Sequence, residues 1–231
     1  MTHTLHRLGT RALLADDYVV LSMAAQGFNS VAAADKLSAV FQILVSHSPV
    51  NAADDNRGGV LTGLTVEEIM QKATDKAYMA GVYTDERSLE EALSDLKRAD
   101  LGMPVIVSGD FETVFRVLER VGLKPHTVNL SLGVFGDKSL LPSLEVLEIT
   151  TMCGHGMVCP AHVQDAIKKV RSGRMSPADA ARDLARGCTC GIFNPARAAR
   201  LLAEAAAGDT CKAGGSQVQV GQGGDNSENQ C

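Results

Sequence analysis

Ala80-Gly81-Val82-Tyr83-Thr84, Val105-Ile106-Val107-Ser108 and Thr127-Val128-Asn129-Leu130 are three short β-rich runs, separated by the amphipathic segments Glu86 to Ala99 and Phe111 to Val121. The alternation reads as β-α-β-α-β. In the second amphipathic segment Phe111, Val114, Phe115, Leu118 and Val121 recur at spacings of three and four before Gly122. That is the pattern of a helix that lays one face on a sheet and stops at a glycine. Working outward, Tyr18 to Met23 supplies an earlier strand, and residues 31–45 and 65–77 carry two more helical patterns. Strands alternating with helices predict an α/β fold with a small, mostly parallel sheet and flanking helices.

Beyond about residue 143 the texture changes to short helices with clear start signals. Pro160 precedes the Val163, Ile167, Val170 stripe; Ser176-Pro177 and Asn194-Pro195 each place a capping side chain before a proline, which suits the first helical position. The last helix runs from Pro195 to Ala207, and Gly208 ends it. Residues 209–231 are rich in Gly, Ser, Gln and Asn, with two valines as their only sizeable apolar side chains. Such a segment cannot offset its ordering entropy, so a disordered tail carrying Cys211 and Cys231 is expected. The reading therefore divides the chain into a ligand-binding α/β domain (1–142), a helical cysteine-containing appendage (143–208) and a tail (209–231).

A chain of 231 residues with 45% hydrophobic content can bury a substantial core. Its net charge of -5, with no Lys or Arg run, gives no electrostatic footprint for nucleic acid. The N-terminal Met1-Thr2-His3-Thr4-Leu5-His6-Arg7 lacks the features of a signal peptide, and 18 consecutive apolar residues occur nowhere. The expectation is a cytoplasmic protein with no membrane partner, whose thiols stay reduced. The common nucleotide, metalloprotease and serine-hydrolase motifs are absent from the sequence.

Four of the six cysteines are concentrated in two clusters, Cys153 with Cys159 and Cys188 with Cys190, a C-x5-C and a C-x-C separated by 28 residues. Soft thiolates gathered this way point to zinc or iron-sulfur ligation. A helical hairpin over residues 160–187 can return the chain to its start, and glycines at 154, 156, 187 and 191 flank the cysteines. Glycine there allows close backbone approach and amide-to-sulfur hydrogen bonds. His155 is an alternative to Cys159 as the fourth ligand, or three cysteines leave one metal position open. The layout resembles the small helical [2Fe-2S] module of bacterioferritin-associated ferredoxins, which also combines a C-x-C with a wider cysteine pair. Here the C-x-C comes last, the other pair is C-x5-C, and about 50 residues are involved, so membership is not assigned.

Two further groups are candidates. Ser108-Gly109-Asp110 lies at the carboxyl end of a predicted strand and leads into a helix start, where free amides can hold an anionic ligand. Taken alone, Asp110 reads first as the helix N-cap, and only convergence with the other strand ends in space makes it a site. The polar segment 46–59 holds His47, Asp54, Asp55 and Arg57, from which His47, Asp54 and Arg57 make a proton donor, a carboxylate and an anion clamp. The leading expectation is an iron-sulfur protein, [4Fe-4S] or [2Fe-2S], held by Cys153, Cys188, Cys190 and Cys159. It would act as an oxidoreductase or lyase on a small anionic ligand, or with a redox partner, and four cysteines per chain also allow a cluster shared in a homo-oligomer. The alternative is a zinc-stapled, non-catalytic binding or regulatory protein. A thiol redox sensor ranks last, because C-x-C is a strained disulfide spacing.

Overall fold

The computed structural model describes residues 3–208, and the expectation of disorder for residues 209–231 lies outside them. In chain order the elements are α1 (Arg11–Leu14), β1 (Tyr18–Met23), α2 (Ala34–Ser46), β2 (Asn51–Asp54), β3 (Gly58–Gly59), α3 (Val66–Gln71) and β4 (Tyr78–Tyr83). They continue as α4 (Glu86–Ala99), β5 (Val105–Ser108), α5 (Phe111–Val121), α6 (Leu144–Thr150), α7 (Pro160–Arg171), α8 (Pro177–Ala185) and α9 (Pro195–Ala207). The helix starts follow the sequence signals: Asp85, Asp110, Ser176 and Asn194 each accept a first-turn amide hydrogen bond at the N-cap.

The sheet has the order β3-β2-β4-β1-β5, and every hydrogen-bonded pair is antiparallel. This corrects the expected mostly parallel sheet, for a topological reason. The helical crossovers β1-α2-β2 and β4-α4-β5 do join strands that run the same way, but β4 lies between β1 and β2, and β1 lies between β4 and β5. Two split β-α-β units thus interlock, the ferredoxin-like βαββαβ plan with β3 added at one edge. The expected strand at Thr127–Leu130 does not form; Val128 and Leu130 are exposed, and α5 leads into irregular chain instead of back to the sheet.

Strand alternation divides the core. Tyr18, Val20 and Tyr83 pack with α2, α4 and α5, while Val19, Leu21, Ala80 and Val82 pack on the opposite face with α6 to α9. Both faces are covered, so β1 is almost wholly apolar instead of alternating. Each fully buried Val or Leu contributes about 1.5–3 kcal/mol. The cysteine-bearing helices share one hydrophobic cluster with the sheet: Cys153, Cys188 and Cys190 are buried in the same group as Val19 and Val82. No helix among the described residues is long and apolar enough to cross a membrane.

Candidate metal centre

α6 and α8 each end in a tight turn of one design. The Cys153 amide donates to the Thr150 carbonyl (3.1 Å) and the Gly156 amide to the Cys153 carbonyl (3.1 Å). In the second turn the Cys188 amide donates to the Ala185 carbonyl (3.0 Å) and the Gly191 amide to the Cys188 carbonyl (3.1 Å). Gly156 and Gly191 close the turns at φ 68° and 67°, the left-handed region that favours glycine. The two turns read Cys153-Gly154-His155-Gly156 and Cys188-Thr189-Cys190-Gly191, a repeated C-x-[HC]-G. His155 therefore occupies in one turn the position that Cys190 occupies in the other.

The turns bring their donors together. The Sγ atoms of Cys188 and Cys190 are 3.5 Å apart, and the Cys188 thiol also bonds Cys153. The amides of His155, Met157 and Val158 donate to the Cys153 sulfur, and the Ile192 amide donates to Cys190. His155 adds a side-chain hydrogen bond to Cys190.

The electrostatics follow from three buried sulfurs. Bonding from the Cys188 thiol, followed by the backbone amides, brings Cys153 down to about 6 against the opposing effect of burial. The same thiol leads the causes that bring Cys190 to about 7. Cys188, donating to both and itself buried, is pushed far up and keeps its proton. That proton compensates negative charge where a cation would otherwise do so. Burial lowers His155, but its bond to Cys190 and the nearby negative charges outweigh burial and raise it. The C-terminal ends of α6 and α8 also converge here, and helix C-termini favour positive charge.

A fifth group comes from the sheet. Ligand atoms of Asp55, His155 and Cys190 all lie within 4.8 Å of one another, a set able to hold a metal ion. Asp55 immediately follows β2 and is half-buried, with its amide donating to the Tyr78 carbonyl (3.1 Å). The Gly191 turn lies directly on the same strand: a Cβ on Gly191 would come within 2.3 Å of the Ala53 Cβ and 3.0 Å of its backbone nitrogen. The thiols thus line the inner side of the group, while exposed His155 and half-buried Asp55 form its rim.

The expected site residues distribute unevenly. Cys153, Cys188 and Cys190 come together, whereas Cys159 is exposed at the N-cap of α7 and has no sulfur contact with them. His47 lies on the α2–α4 side of the sheet, opposite the thiols, with Nε2 3.0 Å from Asp95 and Nδ1 3.7 Å from Glu91. A surface hollow of about 430 Å³ is lined there by charged side chains of α4 as well as His47. Asp54 is fully buried and organises the β2–β3 hairpin, accepting from the amides of Asn56 (3.1 Å) and Tyr78 (3.1 Å). Arg57 is exposed in that hairpin. The three residues offered as a catalytic set are therefore not brought to one place.

Ser108, Gly109 and Asp110 form a packed junction. The Ser108 hydroxyl meets Thr4 at 2.6 Å, and Asp110 accepts from the Thr113 amide (3.1 Å) and the Arg11 guanidinium (Nε, 3.2 Å). Gly109 is required by close approach, since a Cβ would come within 2.6 Å of the Tyr18 ring. Of the two adjacent carboxylates in the polar segment, the candidate set takes Asp54, whereas the structure brings Asp55 to the thiols. Strand alternation was the available signal: it turns Asp54 away from the helical layer and Asp55 toward it.

No protein-family model matches this chain, and comparisons with curated proteins and with solved structures give no match.

Proposed function

We propose that this chain is a metalloprotein whose centre is one tetrahedral ion, best suited to zinc, held by Cys153, Cys188, Cys190 and His155. The observation that carries the reading is the 3.5 Å separation of the Cys188 and Cys190 sulfurs. Two thiolates bound about 2.3 Å from one ion in a tetrahedral array lie about 3.8 Å apart. A [4Fe-4S] core, taking one cysteine on each iron, needs wider spacing. The Cys188 thiol also bonds Cys153, and His155 bonds Cys190, so each of the other two donors adjoins one member of this pair. When bound, the ion supplies positive charge to a pocket that otherwise retains a proton on Cys188. The residues staple the turn after α6 to the turn after α8, in keeping with a binding or regulatory role.

A second reading, a [2Fe-2S] cluster, is favoured by the repeated turn. Each turn offers donors at positions one and three, one pair per iron, and the amide-to-sulfur bonds at Cys153 are of the kind that tune such clusters. Anaerobic purification with zinc, iron and acid-labile sulfide analysis separates the two. About one zinc per chain without sulfide supports the mononuclear centre; iron with sulfide replaces it by the cluster. Protein that takes up neither in stoichiometric amount, even on reconstitution, overturns both.

A further inference from the structure

We infer that Asp55 is the positioning carboxylate of this centre, holding His155 from outside the coordination shell and thereby coupling metal occupancy to the order of the β2–β3 hairpin. The inference rests on the metal-centre reading and goes beyond it by giving the sheet a part in metal binding. Three thiolates and one imidazole fill the four positions of a tetrahedral ion. A carboxylate beside the imidazole then has one favourable place, the second ring nitrogen, where it sets the tautomer and strengthens the ligand. Asp55 lies within reach of that place, with a carboxylate oxygen, a ring nitrogen of His155 and the Cys190 sulfur within 4.8 Å of one another.

The geometry of the hairpin explains why this residue and not its neighbour serves. Asp54 is buried and spends Oδ1 on the amides of Asn56 and Tyr78. The next side chain along the strand faces the other way, toward Ala53 and the Gly191 turn that lies on it. The hairpin itself is slight: β3 is two residues long and pairs at Ala53–Gly59 and Asp54–Gly58. With two ladder pairs between its strands, the hairpin gains a further anchor from a link to a metal-bound imidazole, which raises the free energy of its local opening.

The test uses the full chain and zinc(II) or cobalt(II) as the probe. Asp55→Asn should weaken metal affinity about 10- to 100-fold in chelator competition, while the cobalt absorption bands keep the position of the parent protein. Amide exchange over residues 55–59 should slow on zinc binding in the parent and respond several-fold less in Asp55→Asn. Asp55→Glu should restore part of both effects. Unchanged affinity in Asp55→Asn, or hairpin exchange indifferent to zinc, overturns the inference while leaving the metal centre standing. Displaced cobalt bands would make Asp55 a direct ligand and also overturn it. A parent protein that binds neither ion at its thiols removes the metal centre and this inference together.

Discussion

At the scale of single residues, the difference between Cys159 and the other three cysteines is one of packing, not of chemistry. All four are thiols in the same stretch of chain, but Cys153, Cys188 and Cys190 are buried within reach of one another, and Cys159 is exposed where α7 starts. Cys159→Ser should therefore leave metal stoichiometry unchanged, whereas Cys190→Ser should abolish tight binding by removing one of four donors and the His155 contact. Metal analysis after dialysis against a weak chelator checks both; equal losses in the two variants would restore Cys159 as a ligand. The C-x5-C spacing drew attention to Cys159 because a cysteine is conspicuous in a sequence. The repeated C-x-[HC]-G was equally present in it, and puts His155 at the position that Cys190 has in the second turn.

At the scale of elements, the two cysteine-bearing turns share backbone geometry but differ in surroundings. Gly156 and Gly191 have nearly the same positive φ, yet a Cβ on Gly156 would meet nothing within 4 Å, while one on Gly191 would strike Ala53 of β2. Gly156→Ala should cost about 1–2 kcal/mol, the penalty of left-handed backbone for a residue with a side chain. Gly191→Ala adds overpacking of about 1–3 kcal/mol and should lower metal affinity as the turn is pushed from the strand. Denaturant unfolding of both variants, with equal losses, would contradict direct seating of this turn on the sheet. The helices themselves were legible because capping chemistry is local: Asp85, Asp110, Ser176 and Asn194 act within three residues of themselves. The strand expected at 127–130 failed because its apolar residues require a sheet edge to join, and the chain after α5 does not return to one.

At the scale of the whole molecule, a buried ion network fastens the residues around Arg7 and Asp17 to α9 and to the segment just beyond Cys190. Asp17 accepts from Arg197 (2.8 Å) and Asn194 (3.0 Å) and pairs with Arg7, which also donates to the Ile192 carbonyl just beyond Cys190. Asp17 and Arg197 have no side-chain exposure. Burial would raise the Asp17 carboxyl, but Arg7 and Arg197 together hold it below its ordinary value. A depressed folded-state value stabilises the fold above the ordinary carboxylate range, near pH 4, and the contribution fades as pH falls through the folded value. Asp17→Asn should cost about 3–5 kcal/mol at neutral pH by leaving buried guanidinium charge uncompensated, and should flatten the acid limb of a stability profile measured by denaturant unfolding between pH 2 and 7. A variant within about 0.5 kcal/mol of the parent would show the network to be dispensable. The thiol-rich character of the centre, the helix starts and the strands β1, β4 and β5 are set by local residue types and spacings, so the chain alone specified them. Antiparallel order, the stacking of the cysteine helices on the sheet, and the meeting of Asp55 with His155 and Cys190 depend on which distant segments become neighbours. Apolar strands buried on both faces look the same in either direction, and a carboxylate one residue from its twin differs from it only by the side of the strand on which it falls.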